Sequence, residues 1–227
     1  FILMGMSGTV LLWLYSAVLA IMFAIGLCFG SLSLNPIIYF TSRFLILLGR
    51  GIPTSLYVVA AGIICVRLMP SLQLPEIFPG TLPAFQIVGL TIVVVLAFGS
   101  AGHLAEILLA GRRSIGRERL AQMQIMGLDW KTRVSLTFRE SAPQVLPAIS
   151  ARLVHHLHNT AFAALFPVVE LFGVVQSGIN RSFAVALWVG VGAGLYILLS
   201  SAITAAGSAL EQRFAPKYSD LNKRVLL

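Results

Sequence analysis

Apolar residues gather into four long runs, at about 9–32, 54–69, 85–110 and 182–206, separated by shorter polar stretches. A helix needs roughly 20 mostly apolar residues to cross about 30 Å of hydrocarbon, so each run predicts a membrane span. Pro53 stands before the second run, where a first-turn proline suits a helix start. A fifth run at 145–166 is more polar and carries Arg152, His155, His156, His158 and Asn159. Such a span should face protein or a cavity rather than lipid. The opening run has no basic stretch before it and continues to about residue 34. That exceeds the roughly 7–15 apolar residues of a signal peptide, so it reads as a true span, and the initial Phe1 suggests that the natural start lies further upstream. The pattern predicts an all-α polytopic membrane protein of about five transmembrane helices. No repeat or low-complexity linker divides residues 1–227, so one domain is expected.

Composition agrees. Hydrophobic residues make up 58% of the chain and charged residues 11%, with mean hydropathy +0.91. A soluble domain carries roughly 25% charge. The net charge of +8 would suggest nucleic acid in a soluble protein. Here the basic residues sit between apolar runs and act as topology signals. Arg43, Arg50, Arg112, Arg113, Arg117, Arg119, Lys131, Arg133, Arg139, Arg213, Lys217, Lys223 and Arg224 fall on one side of a five-span chain; Arg67 and Arg181 fall on the other. The positive-inside rule then sets the N-terminus outside and the C-terminus in the cytoplasm. Pro70, Pro75, Pro79 and Pro83 make the stretch from 70 to 83 a stiff, irregular outer connection. Cys28 and Cys65 lie in separate apolar runs and read as packing residues.

The segment 111–140 is long for a connection without a task. Ser114 can cap a helix through Arg117, Glu118, Leu120, Met123 and Met126, whose apolar positions recur at helical spacing. Gly127, before Leu128, then ends it. Trp130, Val134 and Phe138 begin a second short amphipathic piece. A helix–glycine–helix element with apolar ridges among Arg and Lys suits docking on a partner or lying in the headgroup layer.

The run Gly111-Arg112-Arg113-Ser114-Ile115, then Gly127-Leu128 and Leu146-Pro147, resembles the EAA loop of polar amino acid ABC transporter permeases. Gly8-Thr9, Arg50-Gly51-Ile52-Pro53, Ala105-Glu106-Ile107 and His158-Asn159-Thr160 match that family's motifs in order and spacing along nearly the whole chain. The loop glutamate motif itself is replaced by Ala121-Gln122-Met123, the usual loop proline is Gly116, and the segment after it reads Phe138-Arg139-Glu140-Ser141. The resemblance implies a type I importer permease in the bacterial inner membrane, with segment 111–140 as its cytoplasmic coupling loop. Ser114, Arg117, Leu120, Met123, Met126, Gly127 and Leu128 would contact the ATPase. The implied partners are a dimer of ATP-binding cassette subunits, a second permease chain of the same or another kind, and a periplasmic or lipid-anchored solute-binding protein. The missing loop glutamate fits a heterodimer whose other half keeps it. The implied substrate is a polar amino acid, with methionine or an osmolyte as alternatives. No cofactor is expected in this chain, since ATP and magnesium would be bound by the partner.

No GxxxxGK[ST] phosphate loop is present, so ATP hydrolysis is not expected here. On a helix, His155, His158 and Asn159 share one face, and His156 and Thr160 a neighbouring one. They lie ~15 Å in from residue 145. They are candidates for a hydrogen-bonded interior cluster or a polar lining of a substrate path; metal would need further ligands in register. Glu106 pairs with Arg112 or Arg113, or contacts substrate. Ser100 and His103 are spaced for a contact that an intramembrane hydrolase could use, although small residues such as Gly99-Ser100-Ala101-Gly102 more often serve close helix packing.

Overall fold

The computed structural model describes residues 1–68 and 74–214. Met69, Pro70, Lys217, Lys223 and Arg224 lie outside the described residues. Eight α-helices follow in order: α1 (Ile2–Gly30), α2 (Pro36–Gly51), α3 (Thr54–Leu68), α4 (Gln86–Ser114), α5 (Arg117–Ile125), α6 (Trp130–Asn159), α7 (Leu171–Ser182) and α8 (Val185–Phe214).

α4 is the central helix. Leu12 of α1 clusters with Val88 and Ile92, while Ala20 and Ala24 cluster with Ala97, Ala101 and Ala105. These two helices therefore run parallel. α3 runs antiparallel to α4, with Thr54 beside Gly99 and Thr91 bonded to Cys65 at 3.4 Å. α6 does likewise, with Val145 against Gly111 and His156 against Ser100. α8 reverses again, since Ser150 meets Glu211 and His158 meets Ser200. The five expected runs thus alternate in direction. α1, the 83–114 segment and α8 are each long and apolar enough to span a membrane alone. α2 and α3 qualify together, bent by 97°. α6 carries the expected polar fifth run.

The bend follows from Pro53. A proline disfavours the helical region for the residue before it, and Ile52 is extended at φ −104°, ψ 132°. Tyr57 donates to Leu48 O at 2.8 Å, a second donor on the carbonyl that already accepts from Ile52 N at 3.3 Å, and so ties α3 to the end of α2. Asn35 caps the other end by accepting from Ile37 N, with Pro36 in the first turn. α2 crosses α4 where Gly49 meets Gly102. A Cβ on Gly102 would lie 2.8 Å from Ile46 O, so only glycine allows this approach.

Three expectations need correction. Ser114 does not cap the coupling helix: it closes α4, donating to Gly111 O at 2.7 Å. α5 starts from Gly116, whose φ of 84° glycine adopts without a Cβ clash. The piece at Trp130 is not a separate short helix but the first turns of α6, which runs 30 residues through Pro143 and Pro147. Finally, the fifth run stays α-helical only to Asn159; Thr160–Leu165 tighten into a 3₁₀ turn and Phe166 is extended. Gly127 does terminate α5, at φ 68°.

Residues 77–81, ahead of α4, are gathered by one side chain. Gln86 is fully buried; its Oε1 accepts from Ile77 N (3.1 Å) and Phe78 N (2.8 Å). Its Nε2 donates to Phe78 O (3.1 Å) and Thr81 O (2.7 Å). Phe78 then seats, 0% exposed, in the cluster with Leu12, Val88 and Ile92.

Candidate functional site

The segment expected to couple is a short helix, α5, standing on a long one, α6. Asp129 opens α6 by accepting from Lys131 N and Thr132 N. The Thr132 hydroxyl, foremost among these donors, holds the Asp129 carboxyl below the usual carboxylate range. Arg119 of α5 makes a forked pair with Glu140 of α6, at 3.1 and 2.7 Å to Oε1, which raises its already high pKa. Of the proposed ATPase contacts, Arg117, Met126 and Gly127 are exposed. Leu120 and Leu128 are half-buried. Met123 is 2% exposed and anchors α5 from beneath. The outward apolar positions are Ile125 at 87% and Met126 at 68%. Ile125 was missed because the stripe through Leu120 and Met123 is the inner one.

The histidines diverge. His156 is fully buried between α1 and α4, its Nε2 2.7 Å from Ser16 Oγ and its Nδ1 2.6 Å from Ser100 Oγ. Ser16 donates to Leu12 O at 2.5 Å, so Ser16 must accept from His156 Nε2–H. His156 Nδ1 then accepts from the Ser100 hydroxyl, whose oxygen accepts from Arg152 Nη2 at 3.2 Å. One histidine tautomer satisfies the whole chain of contacts. His155, one residue away and about 100° round the helix, sits 3.2 Å from Arg152 Nη1 and 3.4 Å from Asn159. His158 turns to Ser200 Oγ on α8 at 3.1 Å. Thr160 is buried and donates to Leu157 O. Among the described residues no group of three His, Cys, Asp or Glu could hold a metal ion. Ser100 pairs with His156 rather than His103, and both are closed to solvent, so they cannot reach a substrate as nucleophile and base.

Glu106 collects three arginines. Arg113 donates to Oε1 at 2.8 Å, while Arg43 and Arg50 lie 3.5 and 3.7 Å from Oε2. The pairing with Arg113 is as expected; the two arginines of α2 join through the bend. Glu106, Arg50, His103 and Arg152 line a cavity of about 500 Å³ floored by Ala110, Ala148 and Ala151. Its cationic groups outnumber its one carboxylate. The cavity brings Glu106 together with Arg152 of the polar run; it leaves His156 and Thr160 in the packed interior.

A further acid, and a buried one, escaped the sequence reading. Glu170 is 0% exposed and caps α7, accepting from Phe172 N at 2.9 Å and from Gly173 N. Its Oε2 also receives Tyr196 OH at 3.4 Å and Thr9 Oγ1 at 3.5 Å. Thr9 in turn accepts from Leu171 N at 2.9 Å. α1, α7 and α8 are thereby tied at one point. The signal was a lone acid in the apolar run Phe166-Pro167-Val168-Val169-Glu170-Leu171-Phe172.

No family model matches the chain. The glutamate transport system permease protein GluD of Corynebacterium glutamicum is 23% identical over 216 residues, spanning 94% of this chain and 74% of that protein. The crystal structure of an amino acid ABC transporter with histidines matches with TM-score 0.76 at 14% identity, over 93% of each chain. The resemblance drawn from the motifs is thus borne out in sequence along nearly the whole chain, and in fold.

Proposed function

We propose that the chain is the transmembrane permease subunit of an ABC importer for polar amino acids. What carries the reading is the junction of α5 and α6. Ile125 and Met126 stand exposed at one end of a continuous helix, and Arg152, in the wall of a polar cavity, lies toward its other end. An amphipathic helix seated in a partner's groove is a common docking mode, and α6 would carry its displacement inward. Two such chains, of one kind or two, would enclose the path. An ATP-binding cassette dimer would supply the energy and a solute-binding protein would deliver the substrate.

The basic residues at the ends of α2, α4 and α5 support a reading with that junction on the cytoplasmic side and the N-terminus outside, by the positive-inside rule. The excess of guanidinium groups over carboxylates in the cavity favours a solute carrying a carboxylate. The relative's glutamate is one such solute. The chain should co-purify from membranes in mild detergent with an ATPase and a binding protein, and the complex should hydrolyse ATP. Ile125→Asp with Met126→Asp should abolish coupling without unfolding the chain. A chain that purifies alone, or in a complex without ATPase activity, overturns the reading.

A further inference from the structure

A second and larger cavity, about 640 Å³, opens between the C-terminal ends of α1, α4 and α8 and the start of α6. Its walls are hydrocarbon: Ile21, Ile25 and Phe29 of α1, Leu108 of α4, Val134 and Ile149 of α6. Arg112 and Arg133 also line it, and Asp and Glu are absent from its lining. Both arginines are half-buried, and neither makes an ion pair or side-chain hydrogen bond among the described residues. Arg133 Nε is buried without a partner. Two neighbouring arginines do find carboxylates, Arg113 on Glu106 and Arg119 on Glu140. A half-buried guanidinium beside an apolar groove lacks the counter-charge that would offset its desolvation.

Depth decides what could supply it. Arg112 lies two residues before the end of α4, and Arg133 lies in the first turn of α6. Arg112 is therefore at the level where α4 leaves the hydrocarbon and phosphates of the leaflet begin, packed beside residues 141–145 of α6, while Arg133 stands further out along α6 and lines the same groove from its outer end. From there the α1 wall descends from Leu32 to Ile21, ~16 Å at 1.5 Å per residue. The groove is thus apolar along the depth of an acyl chain and cationic at the depth of a headgroup.

We propose that this groove binds an anionic phospholipid of the cytoplasmic leaflet, with the phosphate on Arg112 and Arg133 and one acyl chain along α1. Basic pockets between transmembrane helices take anionic headgroups in this way. The occupant would also touch Leu120, Met123 and Gln124 of α5, so the lipid would brace the underside of the helix that projects Ile125 and Met126. The proposal does not depend on which solute the chain carries.

The test uses the chain with whatever co-purifies, transferred to nanodiscs of phosphatidylcholine alone or doped with phosphatidylglycerol of the same acyl chains. Native mass spectrometry should find phosphatidylglycerol retained, and its titration should raise the unfolding temperature. Arg112→Gln with Arg133→Gln should weaken its binding roughly 30-fold while leaving any effect of phosphatidylcholine unchanged. Should that double variant misfold, Ile25→Trp, which fills the groove and keeps both cations, must also expel the lipid. Equal retention of the two lipids, undiminished binding in both variants, or the same stabilisation by soluble glycerol phosphate would each overturn the proposal. So would a co-purified protein subunit cross-linking into the groove in place of lipid.

Discussion

Replacing Glu170 by Ala removes the one group that joins α1, α7 and α8. The α7 cap is lost, a cost of about 1 kcal/mol. The hydroxyls of buried Thr9 and half-buried Tyr196, which donate to Oε2, are left without that acceptor. Each orphaned donor costs about 1–3 kcal/mol. Together these predict a loss of about 3–7 kcal/mol, large beside the about 5–15 kcal/mol that holds a domain folded. Glu170→Gln should cost much less. Its carbonyl oxygen can take the Oε2 place and keep Phe172 N, Tyr196 and Thr9, giving up only Gly173 N. Tyr196→Phe removes one donor and its partner's contact, at about 1 kcal/mol. Denaturant unfolding in detergent orders the three variants, and amide exchange at Phe172 and Gly173 locates the damage. Glu170→Ala within about 0.5 kcal/mol of the unsubstituted chain would refute the reasoning, because surface positions behave that way and buried caps do not.

Other outcomes follow from the same logic. Gln86→Glu exchanges a donor for an acceptor facing Phe78 O and Thr81 O, and should release Phe78, visible as protease cleavage within 74–82 and a lower unfolding midpoint. Ser100→Ala strips partners from His156 and Arg152 and should destabilise by about 1–3 kcal/mol; unchanged stability would mean that Ser100 is not structural. The Asp129 pKa is lowered on folding, so its stabilisation of the α6 start is present above the unfolded value near 3.9 and is lost as pH falls through the folded value. Exchange protection at Lys131 and Thr132 should fall on acidification there and not above it, and Asp129→Ala should erase the dependence.

The spans were legible because long apolar runs leave little choice of structure, and Pro53 announced the bend before α3. The continuity of α6 was not legible. Trp130, Val134 and Phe138 look like a surface helix, and Pro143 and Pro147 look like its end, yet packing on α4 and α8 carries the helix through both. The cluster at His156 draws on Ser16 and Ser100, separated from it by 140 and 56 residues, and no local spacing encodes such a meeting. The bend between α2 and α3 likewise sent Arg43 and Arg50 to Glu106, where sequence proximity favoured Arg112 and Arg113.

One helix carries both Trp130 and Arg152, so the two share a fixed azimuth. Each added residue advances a helix by about 100° and lengthens it by about 1.5 Å. A single alanine inserted between Phe138 and Ser141 would therefore turn α5 about a quarter of a circle away from its facing while scarcely changing its reach. Four alanines would restore the facing to within about 40° and push the junction outward by about 6 Å. If activity returns with the four-residue insertion and not with the single one, what passes along α6 is a torque rather than a thrust.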